Sequence, residues 1–273
     1  MLGVFNLGYS DNWTKSMNTH WQTFLNQQGA HFQGDEITAY AGATAPPTVE
    51  QGLCDLSPLG LLTAQGADTS AFLQGQLTND VKQLHPGLGQ LSAYCTPQGR
   101  MLALFHLVQV HPDQYTLIIP QDILNAALDR LKKYVMRSQV TWQNNSNEWA
   151  HLGVWGPNIP DLLQHSGLAV PATAHQCLQH QNLTLYRHRD EVPRFSLWGK
   201  VDDIKRLWEQ FSAVCTKVSD AQWRLRRILS GEPVIYAATV DQFVPQMMNL
   251  DLIDGVNFNT SPRAPARRAR PGR

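Results

Sequence analysis

Apolar and polar positions alternate along this chain in two registers, and the switches between them mark its elements. After about fifty irregular residues with one helix expected around His20–Gln28 and an Ala, Gly and Pro-rich loop at Ala41–Pro47, the texture becomes regular at Leu53. Leu59–Ala64 reads as a strand, and Asp68 or Thr69 is placed to cap a helix carrying Phe72, Leu73, Leu77 and Val81 on one face. Ser92–Cys95 and Met101–Val110 are apolar on both alternating faces, the mark of strands buried on both sides. Tyr115–Ile119 is another short strand. Leu124, Leu128, Leu131 and Val135 then recur at helical spacing, with Asp129, Arg130, Lys132 and Lys133 turned to water.

The rhythm repeats. His151–Trp155 reads as a strand, Asn158–His165 as a short helix, and Leu183–Arg187 with Arg194–Trp198 as a strand pair. Ile204, Leu207, Trp208, Phe211 and Cys215 form one helical stripe, and Ser219 opens a further helix that Gly231 and Pro233 end. Strands and helices mixed at this spacing predict an α+β body of two comparable αβ modules. The expected division is an N-terminal helix and loop (1–52), a first module (53–140), a second module returning to a cleft (141–260) and an Arg/Pro tail (261–273).

Composition sharpens this in three ways. An apolar share of 42% in 273 residues supports a sizeable core. The formal charge is zero, but five of the 22 basic residues lie in Ser261–Arg273, so residues 1–260 hold 17 basic against 22 acidic groups. A mildly acidic body argues against a direct nucleic-acid surface, and the tail, with no acid and no large apolar residue, is expected to stay unfolded. No apolar run approaches the ~20 residues that span a bilayer, and the N-terminus lacks a basic segment followed by an apolar core. Cys54, Cys95, Cys177 and Cys215 are about 40 or more residues apart, so no closely spaced thiol pair suggests a metal or redox centre. The ten histidines show no close ligand spacing either, no metal is assigned, and a cytoplasmic protein is expected.

Four segments carry candidate chemistry. In FLQGQLTNDV (Phe72–Val81), Gly75 sits within the expected helix, where Gly costs about 1 kcal/mol relative to Ala; close approach of another backbone or a ligand would offset that. Asn79 stands on the polar face beside it. In SAYCTPQGR, Pro97–Gly99 makes a turn between strands, and Tyr94 and Arg100 flank it as an aromatic face and a guanidinium. In AQWRLRRILSGEPVIY, Trp223 lies beside Arg226 and Arg227, a pattern that equally fits core packing with solvated arginines. In QFVPQMMNLDLIDGVNF, Gln246 and Asn249 suit either a polar ligand edge or a loop bridge, and Gly255 suits a positive φ.

FLQGQLTNDV, the PQGR turn and FVPQMMNLDLIDGVNF, in this order and spacing across roughly residues 50–259, resemble the YgfZ-type folate-binding proteins. These are related to the glycine-cleavage T-protein, an aminomethyltransferase. The resemblance implies two similar αβ modules of the T-protein fold around a central cleft, with tetrahydrofolate as ligand. It assigns Trp223 to the folate pocket, matches Leu59 to a position that is aromatic in some relatives, and implies ligand roles for Tyr94, Arg100, Asn79, Gln246 and Arg226. Two departures stand out. The Lys-Gly-Cys-Tyr-x-Gly-Gln-Glu signature that follows in the family is replaced by Asn259, Thr260 and the Arg/Pro tail, so the C-terminal barrel of the family is expected to be missing. The strand that supplies a carboxylate in the T-protein here reads Met101-Leu102-Ala103-Leu104-Phe105, with no titratable group to move a proton.

The resemblance therefore implies a folate-binding protein with no catalytic residues, linked to iron–sulfur enzymes and tRNA-modifying enzymes as partners. The alternatives are a folate-dependent C1 transferase of the aminomethyltransferase type, or a truncated product without function.

Overall fold

The computed structural model describes residues 17–42 and 49–257; the Arg/Pro tail and most of the Ala41–Pro47 loop lie outside the described residues. The chain begins with α1 (Thr19–Gln27), whose first turn is capped by Asn18 accepting from the amides of His20 and Trp21, and with a hairpin of β1 (Ala30–Gln33) and β2 (Glu36–Tyr40). Next come β3 (Gly52–Asp55), β4 (Leu59–Gln65), α2 (Thr69–Gln76), β5 (Leu88–Cys95), β6 (Met101–His111), β7 (Gln114–Pro120), α3 (Gln121–Lys132) and β8 (Thr141–Asn144). The second half runs β9 (Trp149–Trp155), α4 (Ile159–His165), β10 (Cys177–His180), β11 (Leu183–Arg187), β12 (Arg194–Lys200), α5 (Val201–Ser212), β13 (Thr216–Lys217) and α6 (Asp220–Leu229).

Two αβ modules repeat one plan. Each has a strand (β4 or β9), a glycine turn, a short helix, a three-stranded antiparallel meander and an amphipathic helix, then a short strand. The repeat extends to the turn itself: Gly66 and Gly156 both sit at φ near +140°, and a methyl group on Gly66 would lie 2.0 Å from the Gln139 carbonyl oxygen. Only glycine reverses the chain there. The first sheet has strand order β5-β6-β7-β4-β8 and the second β10-β11-β12-β9-β3-β13. The sheets do not divide at residues 53 and 141. β3 is annexed by the second sheet, antiparallel to β9, while β8 closes the edge of the first against β4.

The amphipathic stripes account for the packing. Leu124, Leu128 and Leu131 of α3 join Phe105 and Leu117 in the first core. Ile204, Leu207, Trp208 and Phe211 of α5 join Leu152, Phe195 and Leu197 in the second, each such side chain contributing about 1.5–3 kcal/mol on burial. Trp21 and Tyr40 pack on the second core as well, so α1 and its hairpin serve that module. A third cluster, including Leu61, Val108, Tyr186 and Trp198, seals the modules together.

Two expectations are corrected. The helix at Phe72–Val81 ends at Gln76; Leu77 turns extended because Thr78 N donates to the Ala93 carbonyl at 3.0 Å. Val81 then opens a separate 3-10 turn, with Asp80 accepting from Lys82 N. Gly75 is not held by a close approach either: an added Cβ would meet nothing within 4 Å.

Candidate functional site

The geometry converges where α6 crosses the second sheet. Trp223, one turn into α6, is 2% exposed. Its ring stands 6.1 Å from Trp155 and edge-on to His188 at 5.3 Å, with the Arg194 guanidinium 4.9 Å from its centroid. It reaches this depth because β9 offers Gly153, where a side chain would collide with it. One margin of the indole borders a cavity of about 210 Å³, shared with Leu59, Asp55, Gln121, Arg227 and Tyr236. Asp35, Glu36, Asp122, Asp220 and Arg224 surround it.

Asp55 is the deepest polar group of that cavity, 3% exposed. One carboxylate oxygen, Oδ1, accepts from Trp21 Nε1 at 2.7 Å and from the Ser57 hydroxyl at 2.8 Å. Burial outweighs these bonds and pushes its carboxyl up to about 6. Gln121 brings a buried Oε1 without a hydrogen-bond partner among the described residues. Around the cavity, Arg224 pairs with Asp220 and Glu36, and Asp122 accepts from the amide of Ala237 at 2.8 Å.

Behind the cavity lies a buried polar network centred on Glu232. Its Oε1 meets His106 Nε2 and Arg227 Nε, each at 2.7 Å, and its Oε2 meets Arg194 at 2.7 Å. Burial alone would raise this carboxyl; His106, Arg227 and Arg194 outweigh it and hold it well below the usual range. His106 comes from the first sheet and Arg194 from the second, so the network ties the modules together. His106, His188 and Glu232 place one ligand atom each within 4.8 Å of one another. A dication there would compete with two guanidiniums already on the carboxylate, so the group reads as a polar core. A small void is bordered by Leu59, Leu91, Trp223, Arg227 and these side chains; a second cavity of about 510 Å³ is lined by Asn79, Leu91, His175 and Asp254 among others.

The structure brings Trp223 and Leu59 onto one cavity and puts Asn79 on the other. The remaining expected positions are elsewhere. Tyr94 is fully buried in the first core, pinned where Leu77 bridges to it. Arg100 points away and donates to the carbonyls of Asp241 and Gln242, fastening the returning chain. Arg226 is taken by Asp190 at 2.5 Å, and its neighbour Arg227 faces the cavity instead. Gln246 lies in the 3-10 turn Pro245–Met248, outside both linings. Asp55, Gln121 and Tyr236 were not anticipated. An acid inside the apolar run Leu53–Leu56 was the available signal for Asp55.

Residues 42–199 match the GCVT N-terminal domain family. The tRNA-modifying protein YgfZ of Pectobacterium carotovorum is 32% identical over 222 residues, covering 80% of this chain and 64% of the relative. Its counterpart in Sodalis glossinidius is 33% identical over 210 residues, covering 76% and 62%. Among solved structures, the glycine cleavage system aminomethyltransferase T from Bartonella henselae aligns with a TM-score of 0.71 at 18% identity, covering 82% of this chain and 65% of that one. The chain thus spans less than two thirds of the length of these relatives.

Proposed function

Because the chain belongs to the GCVT N-terminal domain family, we propose that its Trp223-lined cavity binds a reduced folate, tetrahydrofolate, without acid–base turnover. The observation that carries this reading is the shared lining: an indole, an aliphatic wall at Leu59 and inward hydrogen-bonding groups on one void of about 210 Å³. That volume is below the roughly 300–1,000 Å³ of sites that enclose a whole drug-sized ligand, and it suits a bicyclic ring with the tail outside.

The residues fit a pteridine. Trp223 and Leu59 offer apolar contact to the ring. Asp55 and the Gln121 Oε1 are acceptors for the N–H groups along its edge, and Tyr236 and Arg227 complete the polar lining. These side chains bind and orient; the one-carbon chemistry would be the folate's own. Met101–Phe105 brings no carboxylate, so a C1 transfer lacks the proton acceptor that its relatives would use. The chain's role is then that of the YgfZ relatives, in tRNA modification, through iron–sulfur enzymes as partners. The four cysteines, Cys54, Cys95, Cys177 and Cys215, are all buried and spread over separate strands and turns, so a cluster would reside on a partner.

Calorimetric titration with tetrahydrofolate tests the reading. Micromolar binding is expected in the native chain and at least tenfold weaker binding in Trp223→Phe. Equal affinity in the two proteins would remove the cavity from the folate site.

A further inference from the structure

The second cavity holds a histidine set up with unusual care. His175 has φ of 66°, a left-handed conformation uncommon for non-glycine residues. It is held at both ends: its amide donates to the Arg187 carbonyl at 2.8 Å, and its carbonyl accepts from Gly89 N at 2.7 Å. These bonds fix the ring at the seam between the two sheets.

The ring's protons are then set by a relay. His175 Nδ1 lies 2.7 Å from the Tyr186 hydroxyl, and that hydroxyl lies 3.3 Å from His106 Nδ1. His106 Nε2 lies 2.7 Å from Glu232 Oε1. Arg194 and Arg227 both pair with the carboxylate, which in its ionised form can only accept. A singly protonated His106 ring can meet that carboxylate only by donating Nε2–H to Glu232, which leaves its Nδ1 to accept from Tyr186. The tyrosine oxygen must in turn accept from His175 Nδ1–H. The last nitrogen, His175 Nε2, is left as a bare lone pair, and it makes no hydrogen bond among the described residues. The groups facing it are His106, Glu232, Arg189 and Asp254; burial above all lowers its protonation to about 4, with Glu232 and Asp254 acting in the opposite sense.

Three side-chain amides that line the cavity direct their N–H groups elsewhere. Asn79 Nδ2 donates to the Leu91 and Asp254 carbonyls, Gln83 Nε2 to Asp80, and Gln90 Nε2 to Ser92. Among the described residues no lysine or arginine lines the cavity, whereas two carboxylates, Asp80 and Asp254, do. The two carboxylates disfavour an anion here, and a ligand rich in N–H donors would find several acceptors.

We propose that this cavity is a second ligand site, separate from the Trp223 cavity, in which His175 Nε2 and the Asp254 carboxylate receive a primary ammonium group.

The test is nitrogen-15 NMR of histidine-labelled protein at pH 8, titrated with ethylammonium chloride and, separately, sodium acetate. The expected result is a bare Nε2 on His175 whose resonance moves saturably with ethylammonium and not with acetate. Loss of one hydrogen bond to a charged group should weaken binding roughly tenfold or more in His175→Gln, followed through the amides of Asn79 and Asp254. Tyr186→Phe should scramble the tautomer, and His175→Gln, on a loop, serves if that variant does not fold. An Nε2–H tautomer, an unmoved resonance, or equal affinity in His175→Gln would overturn the proposal. Tetrahydrofolate affinity in His175→Gln is read independently, so neither result decides the other.

Discussion

A methyl group on Gly153 would lie 2.7 Å from Cζ3 of the Trp223 indole. One strand residue thus sets how deep the aromatic wall of the cavity can sit. In Gly153→Ala the indole or β9 must give way, and overpacking of this kind costs about 1–3 kcal/mol. The expected outcome is a lower unfolding midpoint in urea together with weaker tetrahydrofolate binding. A variant with unchanged midpoint and affinity would show that Trp223 moves without consequence for the cavity.

Asp55 gives a pH dependence with two readouts. Its folded carboxyl titrates at about 6 against about 3.9 unfolded, so the folded state holds the proton more tightly. Between those values the folded chain binds more protons, and its stability falls as the pH rises. Asp55→Asn keeps an oxygen acceptor and removes the charge, and should raise the stability of the ligand-free protein at pH 7 by about 2–3 kcal/mol. Folate binding moves oppositely. N–H donors favour the ionised carboxylate, so native affinity should climb through pH 6 and the dependence should vanish in the variant. Calorimetry at pH 5, 6 and 7 checks both signs.

Much of the fold was legible because burial repeats at helical or strand spacing: the stripes of α3 and α5 and the doubly apolar β6 follow directly from it. The annexation of β3 by the second sheet was not, because strand pairing across about a hundred residues leaves no local mark at Gly52–Asp55. The site divides in the same way. Trp223 and Leu59 share a cavity, yet Tyr94, which flanks the turn at Pro97–Gly99 in the sequence, is turned by the pleat into the first core. Arg226 and Arg227 are adjacent on α6, and helix geometry sends them to Asp190 and Glu232 respectively. A sequence pattern cannot choose between such neighbours until the acids that claim them are located.

Glu232 is expected to be the most sensitive single charge. Glu232→Gln leaves Arg194 and Arg227 buried with one carboxylate fewer, and breaking a buried pair costs about 3–5 kcal/mol. The sign with pH is opposite to that of Asp55. A depressed carboxyl adds stability above its unfolded value of about 4.3 and loses it as the pH falls towards the folded one. The gap between native and variant in urea titrations should be full at pH 7 and shrink in acid. A constant gap from pH 7 to pH 3 would mean that the lost stability is steric.

Leu59 gives the cavity an aliphatic wall in the same lining as the indole. Replacing it by Phe adds a second ring to a void whose apolar margin already includes Pro58 and Pro120. Leu59 is half-buried at the start of β4, where an aromatic residue suits an extended backbone. An aromatic contact is worth about 0.5–1.5 kcal/mol beyond the area it covers, so Leu59→Phe should bind tetrahydrofolate roughly two- to tenfold more tightly. Weaker binding would mean that the ring fills the space the pteridine needs. Calorimetry on Leu59→Ala distinguishes these cases: if contact with the ligand is what position 59 supplies, truncation weakens binding, whereas a cavity short of room would bind better when enlarged.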